Sequence, residues 1–168
     1  MMTEALVVVG LVSTMVTPLD GQWLLATDPR NVGRDEKWYA APRPDAKLTK
    51  VPWLIQDAFP GYHGVAWYWR NFDAPRNPHA QGRYLLRFWA VDYKADVWLN
   101  GKHIGEHEGG ETPFVLDATD AIKPGKTNRI AVRVQCNWDV WGANGIYERM
   151  FLYAKKPGAP TPAAKEPK

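Results

Sequence analysis

The chain has 168 residues, a formal net charge of +3 and 45% hydrophobic residues, which fits a single domain with a sizeable core. The basic residues are scattered, and several (Lys155, Lys156, Lys165, Lys168) sit in the C-terminal tail. No basic stripe follows a groove, so a nucleic-acid partner is not expected. The lone cysteine, Cys136, excludes an internal disulfide framework and a cysteine-based zinc site.

Residues 5–16 (ALVVVGLVSTMV) form an apolar run too short to span a membrane, so no membrane partner is expected. The run suits either the core of a degenerate export signal or a first strand, although Met1-Met2-Thr3-Glu4 carries no positive charge. An exported location, periplasmic or secreted, is the expectation, with the cytoplasm as the alternative. Domain boundaries are set at 1–18 for this segment, 19–156 for the main domain and 157–168 for a disordered Pro/Ala/Lys tail.

Asp20-Gly21 marks a turn, and Trp23 leads a strand. Residues 28–50 lack a sustained period and read as a long irregular connection, with a short helical piece around Asp35 to Tyr39. A second long loop, 51–64, is punctuated by Pro and Gly. Strand signals then recur at Val65 to Phe72, Arg83 to Ala90, Ala95 to Leu99, Lys102 to Glu106 and Phe114 to Ala118. Asn100-Gly101 is a hairpin signal, since both residues tolerate the positive φ of a type I′ turn. From Asn128 to Gln135 the residues alternate: Ile130, Val132 and Val134 on one side, Arg129, Arg133 and Gln135 on the other, which predicts a half-buried strand with one wet face. A loop at 137–145 and a last strand from Ile146 to Tyr153 follow. Many short strands with regular turn signals predict an all-β antiparallel sandwich. The nine tryptophans suit a thick core, or surfaces that stack on flat ligands.

Three stretches carry a family likeness: GVAWYWRNFDAP, then GRYLLRFWAVDYKADVWLNGKHIGEHEGGETPFVLDATDAIKPGKTNRIAVRV, then NGIYERMFLY. In this order they resemble the N-terminal sugar-binding domain of glycoside hydrolase family 2, the family of β-galactosidases, β-glucuronidases and β-mannosidases. The resemblance covers Leu19 to Lys156. It implies a jelly-roll sandwich of the galactose-binding-like type. Members of the family continue into an immunoglobulin-like sandwich and a (β/α)8 barrel, and the barrel supplies both catalytic glutamates. Retaining hydrolysis needs two carboxyls about 5 Å apart, and no pair here takes that role. The expectation is therefore a carbohydrate-binding module with no catalytic residue and no cofactor. Its partners would be a β-glycoside (galactoside or glucuronide) and a catalytic glycosidase domain. A docking fragment without ligand binding of its own is the alternative.

By the same resemblance, Asp139 is the leading site candidate, an acidic residue that accepts hydrogen bonds from sugar hydroxyls; a turn-capping role is the competing reading. Trp138 and Trp141 flank it as stacking platforms, or as plugs at the end of the sandwich, and Asn144 lies in the same loop. Gln56, Asp57, Tyr62 and His63 belong to the other loop that faces the pocket in the family, with plain solvent-facing loop residues as the favoured competing reading. His103, His107 and Glu108 lack a further ligand at metal-binding spacing, so no metal is expected. Gly109-Gly110 is followed by no Lys-Ser/Thr and no helix, so it is not a phosphate loop. Asp92, Asp117 and Asp120 are expected to fix turns.

Overall fold

The structure, a computed structural model, describes residues 14–135, Ile146 and residues 150–159. Its strands, in chain order, are β1 (Thr14–Pro18), β2 (Gly21–Thr27), β3 (Lys47–Val51), β4 (Val65–Asp73), β5 (Arg83–Phe88), β6 (Lys94–Leu99), β7 (Lys102–Glu108), β8 (Phe114–Asp117), β9 (Thr127–Gln135) and β10 (Met150–Lys155). A single helical turn, α1 (Ile55–Ala58), sits between β3 and β4. Among the described residues no helix is long and apolar enough to cross a membrane.

All pairings are antiparallel. One sheet has four strands in the order β1-β10-β5-β8, the other six in the order β3-β2-β4-β9-β6-β7. Sequence alternation places the core between them. Leu25, Tyr68, Val97, Leu99, Ile130, Val132 and Val134 of the larger sheet meet Leu86, Phe88, Met150 and Leu152 of the smaller one. The tight turn between β6 and β7 uses Asn100 and Gly101 at φ 53° and 82°, as the Asn-Gly signal predicts. Asn100 also locks the turn to β9. Its side-chain carbonyl accepts from the Arg129 amide at 3.0 Å, and its amide donates to Ala121 O at 2.8 Å.

The long connection departs from the sequence reading. Residues 35–39 form turns rather than a helical piece, and the connection ends in a strand, β3, that the reading folded into irregular chain. The short helix lies instead at α1. The wet face expected along β9 is also corrected. Arg133 is only 2% exposed, because residues 28–46 fold back over the outer face of the larger sheet. Trp67, Trp69, Trp98 and Ala131 form a second apolar layer there, packed beneath Trp38, Tyr39 and Ala46. Tyr39 stacks on Trp98 at 5.4 Å, and Trp69 Nε1 donates to Trp38 O at 2.7 Å. The larger sheet thus buries apolar side chains on both faces.

Candidate functional site

The connection covers the outer face only in part, and the uncovered remainder is a pocket. Cross-strand register builds this face in layers. Across β7, β6, β9 and β4, His103, Trp98, Ala131 and Trp69 form an aromatic row. The next row is Glu106, Asp96, Arg133 and Trp67, and the last, at the end of the sheet, is Glu108, Lys94, Gln135 and Val65. Residues paired directly across strands point to the same face. Lys94, Gln135, Glu108 and Val65 therefore form the floor of a pocket of about 670 Å³. Its walls are Asp28 and Pro29 on one side, Tyr62, His63 and Gly64 on another, with Tyr93 beside Lys94. The size lies within the range of about 300–1,000 Å³ typical of small-molecule sites.

At the centre of the middle row, Asp96 and Arg133 form a buried ion pair beneath this floor. Asp96 is 1% exposed. It accepts from Arg133 Nη1 at 3.1 Å and from Arg34 Nη2 of the connection at 2.5 Å, and His103 Nε2 stands 3.7 Å away. Arg133 Nη2 reaches Asn31 Oδ1 at 2.7 Å and Gln135 Oε1 at 3.2 Å. Burial, then the neighbouring Arg34 charge, lowers the Arg133 pKa, with Asp96 opposing both. Asp28 is equally committed. Its carboxylate accepts from the Val32 and Gly33 amides at 2.9 and 2.8 Å and from Trp67 Nε1 at 3.1 Å.

The Tyr62 wall is fixed by short-range bonds. Tyr62 Oη donates to Val65 O at 2.6 Å, and Gln56 Nε2 donates to Tyr62 O at 3.2 Å. Gly64 makes this fold-back feasible. Its φ is +146°, and a Cβ there would stand 2.9 Å from the Tyr62 hydroxyl oxygen. Tyr93 donates its amide to Gln135 O at 3.1 Å and accepts from Gly109 N at 2.9 Å. The Glu108 charge, then the hydrogen bond to Glu108, raises the Tyr93 pKa. Next to it Asp92 is buried beneath Gly110, where an added Cβ would stand 2.8 Å from Asp92 Oδ1. Burial, then repulsion from Glu111, raises the Asp92 pKa.

Of the residues singled out in the sequence, Tyr62 and His63 are brought together on one wall. Gln56 braces that wall from behind. Asp57 is exposed in α1 and does not line the pocket. Trp138, Asp139, Trp141 and Asn144 lie outside the described residues, as does Cys136. Of the described residues on either side of them, Gln135 is on the pocket floor, and the buried Ile146 accepts from the Trp53 amide at 3.1 Å. Asp117 fixes its turn, accepting from Thr119 N at 3.0 Å. His107 bonds Thr112 Oγ1 at 2.8 Å and stacks on Phe114 at 4.3 Å. Among the described residues no three His, Cys, Asp or Glu side chains gather as metal ligands. Sequence reasoning missed Lys94, Tyr93, Gln135, Asp28 and the floor role of Glu108. The signal was available at the strand ends: starting β6 one residue earlier and ending β7 two residues later places Lys94 opposite Glu108.

The fold and site define an antiparallel two-sheet sandwich with a polar, loop-walled pocket at one end of the larger sheet. The family model described as "Glycosyl hydrolases family 2, sugar binding domain" matches residues 47–156. The chain is 35% identical over 130 residues to a β-glucuronidase of Paenibacillus borealis, covering 73% of this chain and 22% of that protein. It is 31% identical over 132 residues to the β-glucuronidase of Canis lupus familiaris, covering 71% and 20%. A β-glucuronidase from Ruminococcus gnavus, solved in complex with D-glucuronic acid, superposes with a TM-score of 0.76 at 25% identity over 86% of this chain and 30% of that one. The chain belongs to the sugar-binding domains of family 2 glycosyl hydrolases. It spans about a fifth of the length of the curated relatives it matches.

Proposed function

We propose that the chain binds a β-linked glycoside at the pocket on the end of the larger sheet, and that it serves glycoside hydrolysis together with a catalytic barrel. One observation carries this reading. The Tyr62-His63 wall and the Lys94–Gln135 floor line one pocket. Phenol and imidazole faces suit the C–H face of a sugar ring, while ammonium, amide and carboxylate groups suit its hydroxyls. The relatives are β-glucuronidases, so methyl β-glucuronide and methyl β-galactoside are the first glycosides to titrate. Amide resonances of Tyr62, His63, Lys94 and Gln135 should shift with one of them, and Asp139→Ala should weaken the response. No shift with any glycan, and no effect of Asp139→Ala, would sink the proposal.

Trp53 and Leu54 favour a second reading, a docking face. They are 42% and 39% exposed, the Trp53 amide donates to Ile146 O at 3.1 Å, and Lys50 Nζ stands 3.4 Å from the Trp53 ring centroid. If this edge packs on a catalytic partner, adding that partner should shift the emission of Trp53 to the blue, whereas a sugar alone should leave it unchanged.

A further inference from the structure

The outer face of the larger sheet has a second hollow, at the end opposite the pocket. Two cavities of about 300 and 280 Å³ adjoin there and share Asn71 and Arg129, which are cross-strand partners on β4 and β9. From Val65 on the pocket floor to Asn71 is about 20 Å along β4, so one small ligand cannot occupy both places. The hollow changes character across the shared pair. On one side lie Leu24, Leu48 and, from the connection, Pro42. Leu24 and Leu48 pair across strands, and Leu48 is 70% exposed, the most exposed large apolar side chain among the described residues. A lone exposed leucine is ordinary, but this one is a wall of a groove. On the other side lie Lys123 and the Asn100-Gly101 turn. Arg129 stands between the halves. Its Nε donates to Asn71 Oδ1 and its Nη1 to Ala40 O, both at 3.0 Å, which fixes the guanidinium. Arg129 Nη2 and Lys123 Nζ have no acceptor among the described residues.

The charges lining the groove are of one sign. Arg70, Lys123 and Arg129 line the two cavities, and no Asp or Glu does. Arg70 is committed to Leu19 O and Asp20 O, which leaves Lys123 and Arg129 for a ligand. Asp73, next on this face of β4, accepts from Thr127 Oγ1 at 2.6 Å. We infer that the groove is a second ligand site, for a carboxylate that carries an apolar group. The carboxylate sits between Arg129 and Lys123, and the apolar group lies across Leu24, Leu48 and Pro42. A guanidinium edge and an ammonium can engage the two oxygens of a carboxylate together, and the aliphatic wall withdraws the tail from water. A sugar fits less well, because the aromatic residues lining the apolar half, Trp23 and Trp69, are each 1% exposed and offer no open ring face. The site is separate from the glycoside pocket, and both can be filled at once.

The test titrates octanoate, octanamide and acetate into the full chain and follows its NMR resonances, with octanoate kept below the concentration at which it forms micelles. Octanoate should shift Leu48, Asn71, Lys123 and Arg129 and leave Tyr62 and His63 in place. Octanamide has the same tail without the charge, and acetate has the charge without the tail. Each should bind about tenfold more weakly than octanoate, for want of the charge-assisted bond in one case and of the buried methylenes in the other. High salt should weaken octanoate more than octanamide, because the groove is open to solvent. Lys123→Met should narrow the margin over octanamide, and Leu48→Ser the margin over acetate. Both side chains are exposed, so thermal melts of the two variants should match that of the unmodified protein. If octanamide or acetate binds as tightly as octanoate, or if Lys123→Met and Leu48→Ser leave both margins unchanged, the site is overturned. If octanoate shifts Tyr62 and His63 instead, or shifts nothing, the second site falls and the glycoside reading of the pocket is untouched.

Discussion

At the scale of single residues, the informative side chains are polar ones out of their usual place. Asp96 and Arg133 are 1% and 2% exposed, on the face where the period-two pattern of β9 predicts solvent. A buried pair of this kind adds little over an apolar replacement, but removing one partner strands the other. Asp96→Ala should therefore cost about 3 kcal/mol in urea unfolding, and the double variant with Arg133→Met should recover part of it. Equal losses in the single and double variants would show that Arg133 does not depend on Asp96. Arg34, with its side chain 48% exposed, should matter far less to either result. None of this was legible in the sequence. Arg133 sits in an alternating pattern like any solvated arginine, and its burial is decided by the fold-back of residues 28–46 and its pairing opposite Asp96, both far from it in the chain.

At the scale of elements, the connection 28–46 decides what kind of sheet this is. Its apolar residues (Val32, Trp38, Tyr39, Ala46) have no helical or strand period, so the sequence gives no sign that they cover anything. The strands themselves were legible, because alternation and Asn-Gly turn chemistry are local signals. Gly33 is where the connection touches down. Its amide donates to Asp28 Oδ2 at 2.8 Å, and a Cβ would come within 2.4 Å of Trp67 Nε1. Trp67 is fully buried and has no room to retreat. Gly33→Ala should thus lift the connection and destabilise the fold by about 2 kcal/mol, the usual cost of overpacking. Amide exchange should quicken at Val32, Gly33 and Trp38 before it does so in β4. Uniform acceleration along the whole chain would argue against a separately docked segment.

For the molecule as a whole, stability against pH carries the imprint of two aspartates with opposite shifts. Asp117 is partly buried, which raises its pKa, but hydrogen bonds from Thr119 and then Arg83 outweigh this and bring it below the usual value. It stabilises the fold above its unfolded pKa, and that contribution is lost as pH falls through the lowered folded value. Asp92 is raised by burial and then by Glu111. The folded state holds its proton more tightly, so its contribution is complete below the unfolded value of about 3.9 and fades as pH climbs through the raised folded value. Asp92→Asn removes this downward component. Between about pH 4 and pH 7, the urea midpoint of the variant should rise more steeply with pH than that of the unmodified protein. Parallel curves would remove Asp92 from the account.

The pairing of β1 with β10 has a consequence for how such a domain is joined to others. Thr14 stands opposite Lys155, so the path into the sandwich and the path out of it meet at one corner. Strand β10 runs from Met150 to Lys155, and its six residues carry the chain about 20 Å to that corner. A host chain can therefore hold the sandwich through neighbouring junctions, as a cassette.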